Sequence, residues 1–195
     1  MKLRDLKRSF LLSLTLFMLL MALSASEGQT TATSTPCGKA KVNMGNPVYL
    51  TISNVIAAVE PPQGWSLDIT RKNPYYFLKS GEKYESVRTL MYINIERLDG
   101  PLQSAVERDA RSFSEGCQPS RIEDLAQPDI LEQGCERKAQ MFHCERKQGA
   151  YVDLATKISI RGLLLNVVLS SDSAEEISRY KKDYEFLLKH LALVN

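Results

Sequence analysis

Two histidines and four cysteines are the residues of this chain with the widest chemical range. His143 stands between Met141 and Glu145 in an alternating segment. Because side chains alternate across a strand, His143 would share a face with those two residues, while Cys144 points the other way. That geometry argues against a metal site, and no second ligand cluster has metal-binding spacing. His190 falls in the last turn of an amphipathic segment, where a capping or solvated role suits the helix dipole. We therefore predict no metal and no other cofactor.

Nucleophilic catalysis has no support in the sequence. Ser86 and Ser114 lack the Gly-x-Ser-x-Gly setting of a nucleophile, and the chain has no Gly-rich phosphate loop. Four carboxylates fall on expected helix surfaces or caps, where solvated side chains are the rule: Glu107, Asp109, Glu175 and Glu176. We predict no catalytic residues, so the sequence favours a protein that is not an enzyme.

One aromatic group could recognise a ligand. Trp65, Tyr75, Tyr76 and Phe77 lie within a short stretch and could line a groove. Packing in the core or at the rim of a sheet is the other interpretation of such a cluster. Both interpretations stay open, and the groove gives the alternative function of small-molecule binding or hydrolysis.

The N-terminus is typical of an export signal. Lys2, Arg4, Lys7 and Arg8 precede an apolar stretch, Phe10 to Leu23, of 14 residues. This pattern predicts a signal peptide over residues 1–25, cleaved near residues 24–26, and a secreted or periplasmic protein. The leader holds four of the 25 basic and one of the 23 acidic residues. The mature chain, with 21 basic and 22 acidic residues, thus shows no charge excess that predicts nucleic-acid or anionic-membrane binding.

An even number of cysteines in an exported chain predicts disulfides, and four cysteines allow three connectivities. Cys117 and Cys135 each follow a glycine and bracket a proline-containing loop. We therefore favour a Cys117–Cys135 bond, which leaves Cys37 with Cys144. A free, buried Cys144 thiol is the alternative.

The elements that would position these residues are clearest in the last fifty residues. Ser173 and Glu176 have the spacing of a capping box, and a helix with an apolar stripe from Ile177 to Leu191 follows. Leu163–Leu169 is apolar at nearly every position, which predicts a central strand covered on both faces. Tyr151–Ile160 alternates as a strand that places Asp153 and Lys157 together on its more polar face, opposite Val152 and Leu154. Arg161-Gly162 is the expected turn between the two strands.

The preceding residues add more strands and one long helix. After a flexible lead-in over residues 26–46, we expect a single domain over residues 47–195. Its expected helices are Leu102–Phe113, ended by Gly116, and a short one begun by a Ser120–Glu123 capping box and ended by Pro128. The expected strands are Val48–Val59, Trp65–Thr70, Tyr75–Leu78, Val87–Leu98 and Gln140–Arg146. This order predicts an α+β fold, a mostly antiparallel sheet sandwiched by helices.

One segment adds a resemblance to a known family. Pro61-Pro62-Gln63-Gly64-Trp65-Ser66-Leu67, with the element order after it, resembles the entry strand of the PsbP-like superfamily. The resemblance spans about residues 50–193, and the 117–134 segment departs from it. That superfamily includes an extrinsic photosystem II subunit, a Ran-binding nuclear-import factor and many exported bacterial proteins of unknown role. The resemblance implies a helix–sheet–helix sandwich and a binding or accessory role without catalysis.

The first function hypothesis is therefore an exported PsbP-like accessory domain that binds an unidentified protein partner. We expect a monomer with no transmembrane segment in the mature chain. A structural component of the cell envelope is another hypothesis, and the same sequence pattern would fit it.

Overall fold

The longest strands of the chain build one antiparallel sheet, and shorter ones build a second. The structure, a computed structural model, describes residues 44–52, 55–126, 136–146 and 149–194, which all belong to one compact unit. The elements in chain order are β1 (Val48–Ile52), β2 (Val55–Val59), β3 (Trp65–Leu67), β4 (Tyr75–Lys79), β5 (Thr89–Arg97), α1 (Leu102–Gly116), β6 (Ser120–Leu125), β7 (Glu136–Arg146), β8 (Gly149–Ile160), β9 (Leu163–Ser171), α2 (Ala174–Lys189) and β10 (Leu191–Val194).

The larger sheet has seven strands in the order β3-β4-β5-β9-β8-β7-β6, and every neighbouring pair is antiparallel. The predicted central strand is confirmed, because β9 lies between β5 and β8 and its apolar residues are buried on both faces. The predicted turn before it is confirmed as well. Arg161 and Gly162 both have positive φ, 50° and 75°, which suits a tight hairpin turn.

One face of this sheet, here called the inner face, carries the main core. It presents Met91, Ile93, Leu154 and Val167, and α2 packs across it. The predicted cap of α2 is confirmed, since the Ser173 side chain accepts a hydrogen bond from the Glu176 amide at 3.2 Å. The predicted α+β architecture is therefore correct, with one helix on each side of the larger sheet.

The smaller sheet corrects two predictions. Val48–Val59 forms two strands rather than one, because β1 and β2 pair antiparallel with Ile52 opposite Val55. The C-terminal helix ends at Lys189, and Leu191 begins β10 instead of completing the helical stripe. Strand β10 pairs with β2, and its residues Leu191, Ala192 and Leu193 are buried. As a strand, this short apolar segment therefore has hydrogen-bond partners for its backbone and also buries its side chains.

Helix α1 packs on the opposite face of the larger sheet, here called the outer face. The predicted helix is confirmed and runs to Gly116. Leu102, Ala105 and Val106 pack against Leu164 of β9, which buries the N-terminal half of the helix. No helix within the described residues is long and apolar enough to cross a membrane.

The short helix predicted after Ser120 is wrong. Ser120–Leu125 is the edge strand β6, which pairs with β7 so that Ser120 lies opposite Cys144. A capping-box spacing is a local signal, and here six residues of ladder pairing provide the backbone partners that one helical turn would supply. Pro128, expected to end that helix, lies outside the described residues.

Candidate functional site

The four aromatic residues expected to line a groove do not share one surface. Trp65, Tyr75 and Phe77 are buried in the main core. The Trp65 indole N–H donates a hydrogen bond to Asp183 of α2 at 3.0 Å. The Tyr75 hydroxyl donates to the carbonyl oxygen of Thr51 at 2.6 Å. Trp65 and Tyr75 therefore connect the larger sheet to α2 and to β1, respectively.

Tyr76 points to the outer face, away from those three residues. Its ring contacts Tyr84, with centroids 4.8 Å apart, and Tyr92 of β5, at 5.8 Å. Tyr92 in turn lines a cavity between α1 and the sheet. Of the four aromatic residues, Tyr76 is thus the one whose ring contacts a residue that lines this cavity.

The histidines also lie apart from that cavity. His143 Nε2 lies 3.7 Å from Glu123 Oε1 at the edge of the sheet. The Nδ1–H of His190 points at the carbonyl oxygen of Phe186 at 2.9 Å, and its ring stacks on the Phe186 ring. His190 therefore caps the end of α2. In the ranges that the structure describes, His, Cys, Asp and Glu side chains form no group of three suited to a metal ion.

The candidate site is the cavity between α1 and the outer face, here called the α1–sheet cavity. Its volume is about 160 Å³. Ala155 and Val168 form an apolar floor on neighbouring central strands, where they are paired in register. Around that floor stand polar and aromatic side chains from α1 and from four strands: Tyr92, Asp109, Ser112, Phe113, Phe142, Asp153, Lys157 and Asn166.

A buried lysine is the main charge of this cavity. The Lys157 side chain is 3% exposed, and its Nζ lies 2.9 Å from Asp109 Oδ2 on α1. Nζ also lies 5.3 Å from the centre of the Phe142 ring, within reach of a cation–π contact. A buried ammonium without a partner is costly, so this ion pair holds α1 at a defined position over the sheet.

Two side-chain oxygens, one on β8 and one on β9, lack hydrogen-bond donors. Asp153 Oδ1 and Asn166 Oδ1 are both buried, and neither has a partner within the described residues. A buried acceptor left without a donor costs about 1–3 kcal/mol. A bound molecule that supplied donors would recover that free energy.

Burial also changes the acid–base properties of the lining residues. It raises the pKa of the Asp153 carboxyl, while a hydrogen bond from the Ser170 side chain and the charge of Lys157 act in the opposite direction. It raises the pKa of the Tyr92 hydroxyl as well, and the nearby Asp153 carboxylate adds to that increase. The cavity therefore favours the neutral, protonated forms of Asp153 and Tyr92 unless a positive charge is bound beside them.

A disulfide fixes the C-terminal end of α1 beside this cavity. Cys117, the residue after α1, is bonded to Cys144 of β7, with Cα atoms 5.7 Å apart. This finding corrects the predicted Cys117–Cys135 and Cys37–Cys144 pairs, and it excludes a free Cys144 thiol. Cys117 and Cys144 meet because β6 and β7 are neighbours, and the Gly-Cys pattern along the chain does not reveal that pairing. Cys37 and Cys135 lie outside the described residues.

The sequence predictions did not bring the cavity residues together. Asp153 and Lys157 were expected on the polar side of their strand, and Asp109 on a solvated helix surface. One signal was available, because Asn166 interrupts an otherwise apolar central strand. Its cross-strand neighbour is Lys157, so two polar side chains meet in a layer covered by α1.

Comparisons with known proteins bear on the fold. No protein-family model matches the chain, and no curated protein matches it significantly. Among solved structures, cyanobacterial PsbP from Synechocystis is similar, with a TM-score of 0.50 and 14% identity over 81% of this chain and 99% of that one. The Ran-binding protein Mog1p of Saccharomyces cerevisiae has a TM-score of 0.48 and 12% identity, over 77% and 96% of the two chains. A Pseudomonas aeruginosa protein of unknown function has a TM-score of 0.44 and 13% identity, over 74% and 95%.

These likenesses concern the fold alone, since all the identities are below 15%. The chain has a PsbP-like fold, as the resemblance in its sequence implied.

Proposed function

We propose that this chain is an exported accessory domain that acts by binding rather than by catalysis, and that the α1–sheet cavity is its ligand site. The observation that carries the proposal is a preformed cavity whose lining includes Asp153 and Asn166, each with a buried side-chain oxygen that lacks a donor. Binding sites are typically concave and largely preformed, with an apolar surface and a few converging polar groups. The cavity has each of these features.

The chemistry around the cavity supports binding over catalysis. Lys157, its buried cation, is paired with Asp109. The lining includes neither of the two histidines, and both described cysteines are consumed in a disulfide. A paired cation and unpaired acceptors hold a ligand in place without supplying an activated nucleophile.

Export is the second part of the proposal. It is supported by the basic and apolar leader and by the Cys117–Cys144 bond, because disulfides persist in oxidising compartments. Cell fractionation with N-terminal sequencing of the native protein tests it. We expect a mature chain that begins near residue 25 outside the cytoplasm. A cytoplasmic protein that retains residues 1–25 would contradict export.

A matched pair of variants on α1 tests the binding proposal. Ser112 lines the cavity, whereas Ser104 is exposed on the same helix and does not. Ser112→Phe should fill the cavity mouth, and Ser104→Phe serves as the control. Native mass spectrometry of protein purified from its own cells should detect a small bound molecule on the wild type and on Ser104→Phe, but not on Ser112→Phe. An unliganded wild type, even after incubation with extract, or a molecule retained by Ser112→Phe, would refute the assignment.

The predicted protein partner stays a prediction, to which we assign no surface. Crosslinking of the exported protein in its native compartment checks it, and recovery of no partner would count against it.

A further inference from the structure

We propose that the α1–sheet cavity binds a small compound through a primary ammonium group. This inference rests on the proposed function, because it specifies the ligand of the same site. Four observations support it: the unpaired oxygens, the charge balance, the aromatic walls and the size of the cavity.

The unpaired atoms favour a donor-rich ligand. Asp153 Oδ1 and Asn166 Oδ1 accept hydrogen bonds but cannot donate one, at least while Asp153 is ionised. An ammonium group carries three donors and no acceptor, so it can satisfy Asp153 Oδ1. Asn166 lies four residues along β9 from the cross-strand partner of Asp153 and opposite Lys157, so its oxygen is left for a second donor. A carboxylate or phosphate ligand would bring further acceptors to atoms that already lack donors.

The charges of the lining favour a cation. Among the lining residues that the structure describes, Asp109 and Asp153 carry the acidic groups and Lys157 is the one basic side chain. Because Asp109 is already paired with Lys157 at 2.9 Å, Asp153 is the carboxylate left for an incoming charge. The ligand's ammonium would therefore occupy the Asp153 side of the floor, away from the Lys157–Asp109 pair.

The aromatic walls and the volume limit what accompanies that group. The rings of Tyr92, Phe113 and Phe142 surround the site, and ring faces attract cations. A volume of about 160 Å³ is close to that of an engineered cavity of about 150 Å³ that holds benzene. The ligand is therefore short, with an alkyl part that lies on Ala155 and Val168.

Three probes of similar length test the inference: n-butylammonium, n-butanol and n-butyrate. The native, oxidised full chain is titrated while the backbone amide NMR signals of Ala155 and Val168 are followed. Because a charge-assisted hydrogen bond replaces a neutral one, we expect n-butylammonium to bind about tenfold more tightly than n-butanol, and n-butyrate most weakly. Equal or tighter binding of n-butanol or n-butyrate would overturn the ammonium assignment, as would an absence of any shift at these signals.

Two isosteric variants make the test specific. Asp153→Asn removes the negative charge of this carboxylate and should weaken n-butylammonium binding about tenfold or more, with little effect on n-butanol. Asp99→Asn is the matched control, because Asp99 is exposed and outside the cavity. Unchanged affinity in Asp153→Asn would overturn the inference. If the probes fail while native mass spectrometry still finds a molecule that Ser112→Phe excludes, the binding function stands and only the ammonium class is lost.

Discussion

The Asp109–Lys157 ion pair should respond unequally to the loss of either partner. The Lys157 side chain is 3% exposed, whereas that of Asp109 is 41% exposed. Asp109→Asn leaves a buried ammonium without its partner, and breaking a buried pair in this way costs about 3–5 kcal/mol. We expect the lower end, about 3 kcal/mol, because Asp153 also attracts Lys157.

Lys157→Met should cost less, about 1 kcal/mol or below. Methionine keeps most of the aliphatic stem packed, and water can solvate the half-exposed Asp109 carboxylate. Asp153 would lose the charge that lowers its pKa, and it can take up a proton instead of remaining a buried anion.

Urea unfolding of the oxidised protein at pH 7 measures both changes. We expect a difference of roughly 2 kcal/mol between the two variants, with the double variant close to Lys157→Met. Equal losses, or a larger loss for Lys157→Met, would show that Lys157 is solvated and that α1 does not close over it.

Three further changes test other parts of the fold. Leu187→Ala removes a fully buried side chain of α2 and should lower stability by about 2–5 kcal/mol, and an unchanged melting temperature would mean that α2 does not cover the sheet. Replacing Cys117 and Cys144 together by alanine removes the disulfide between two residues 27 positions apart in the sequence. The free energy of unfolding measured in urea should fall by about 3.5 kcal/mol, whereas a stability equal to that of the wild type would exclude the bond. Asp153→Asn should raise the melting temperature at pH 7. Burial raises the pKa of the Asp153 carboxyl in the folded state, so the protein loses stability as pH rises from the ordinary aspartate pKa to the folded value. The neutral asparagine does not have this cost at pH 7. That gain should vanish near pH 3, and a gain that grew on acidification would contradict the raised pKa.

The sequence predicted the parts of the fold that depend on local patterns. The Ser173 cap, the apolar stripe of α2 and the apolar run of β9 each contain their signal within a few residues, and each is confirmed. The failures depend on pairing between distant segments. Ser120–Leu125 has a helical cap pattern but becomes a strand because β7 is available beside it, and Leu191 leaves the helix because β2 offers an edge.

The candidate site was not predictable for the same reason. Asp109 comes from a helix, Lys157 and Asp153 from one strand and Asn166 from another, so their meeting depends on register and on the position of α1. Each of these residues alone suits a solvated surface. The Cys117–Cys144 bond likewise follows from the β6–β7 pairing and not from the spacing of the cysteines along the chain.

The occupancy of the α1–sheet cavity can be read from the electron density in a crystal structure of the protein purified from its own cells. We expect a small molecule over Ala155 and Val168 that places a nitrogen within about 3 Å of the Asp153 carboxylate. A cavity that holds only water, or one that α1 fills with its own side chains, would show that this cavity is not a ligand site.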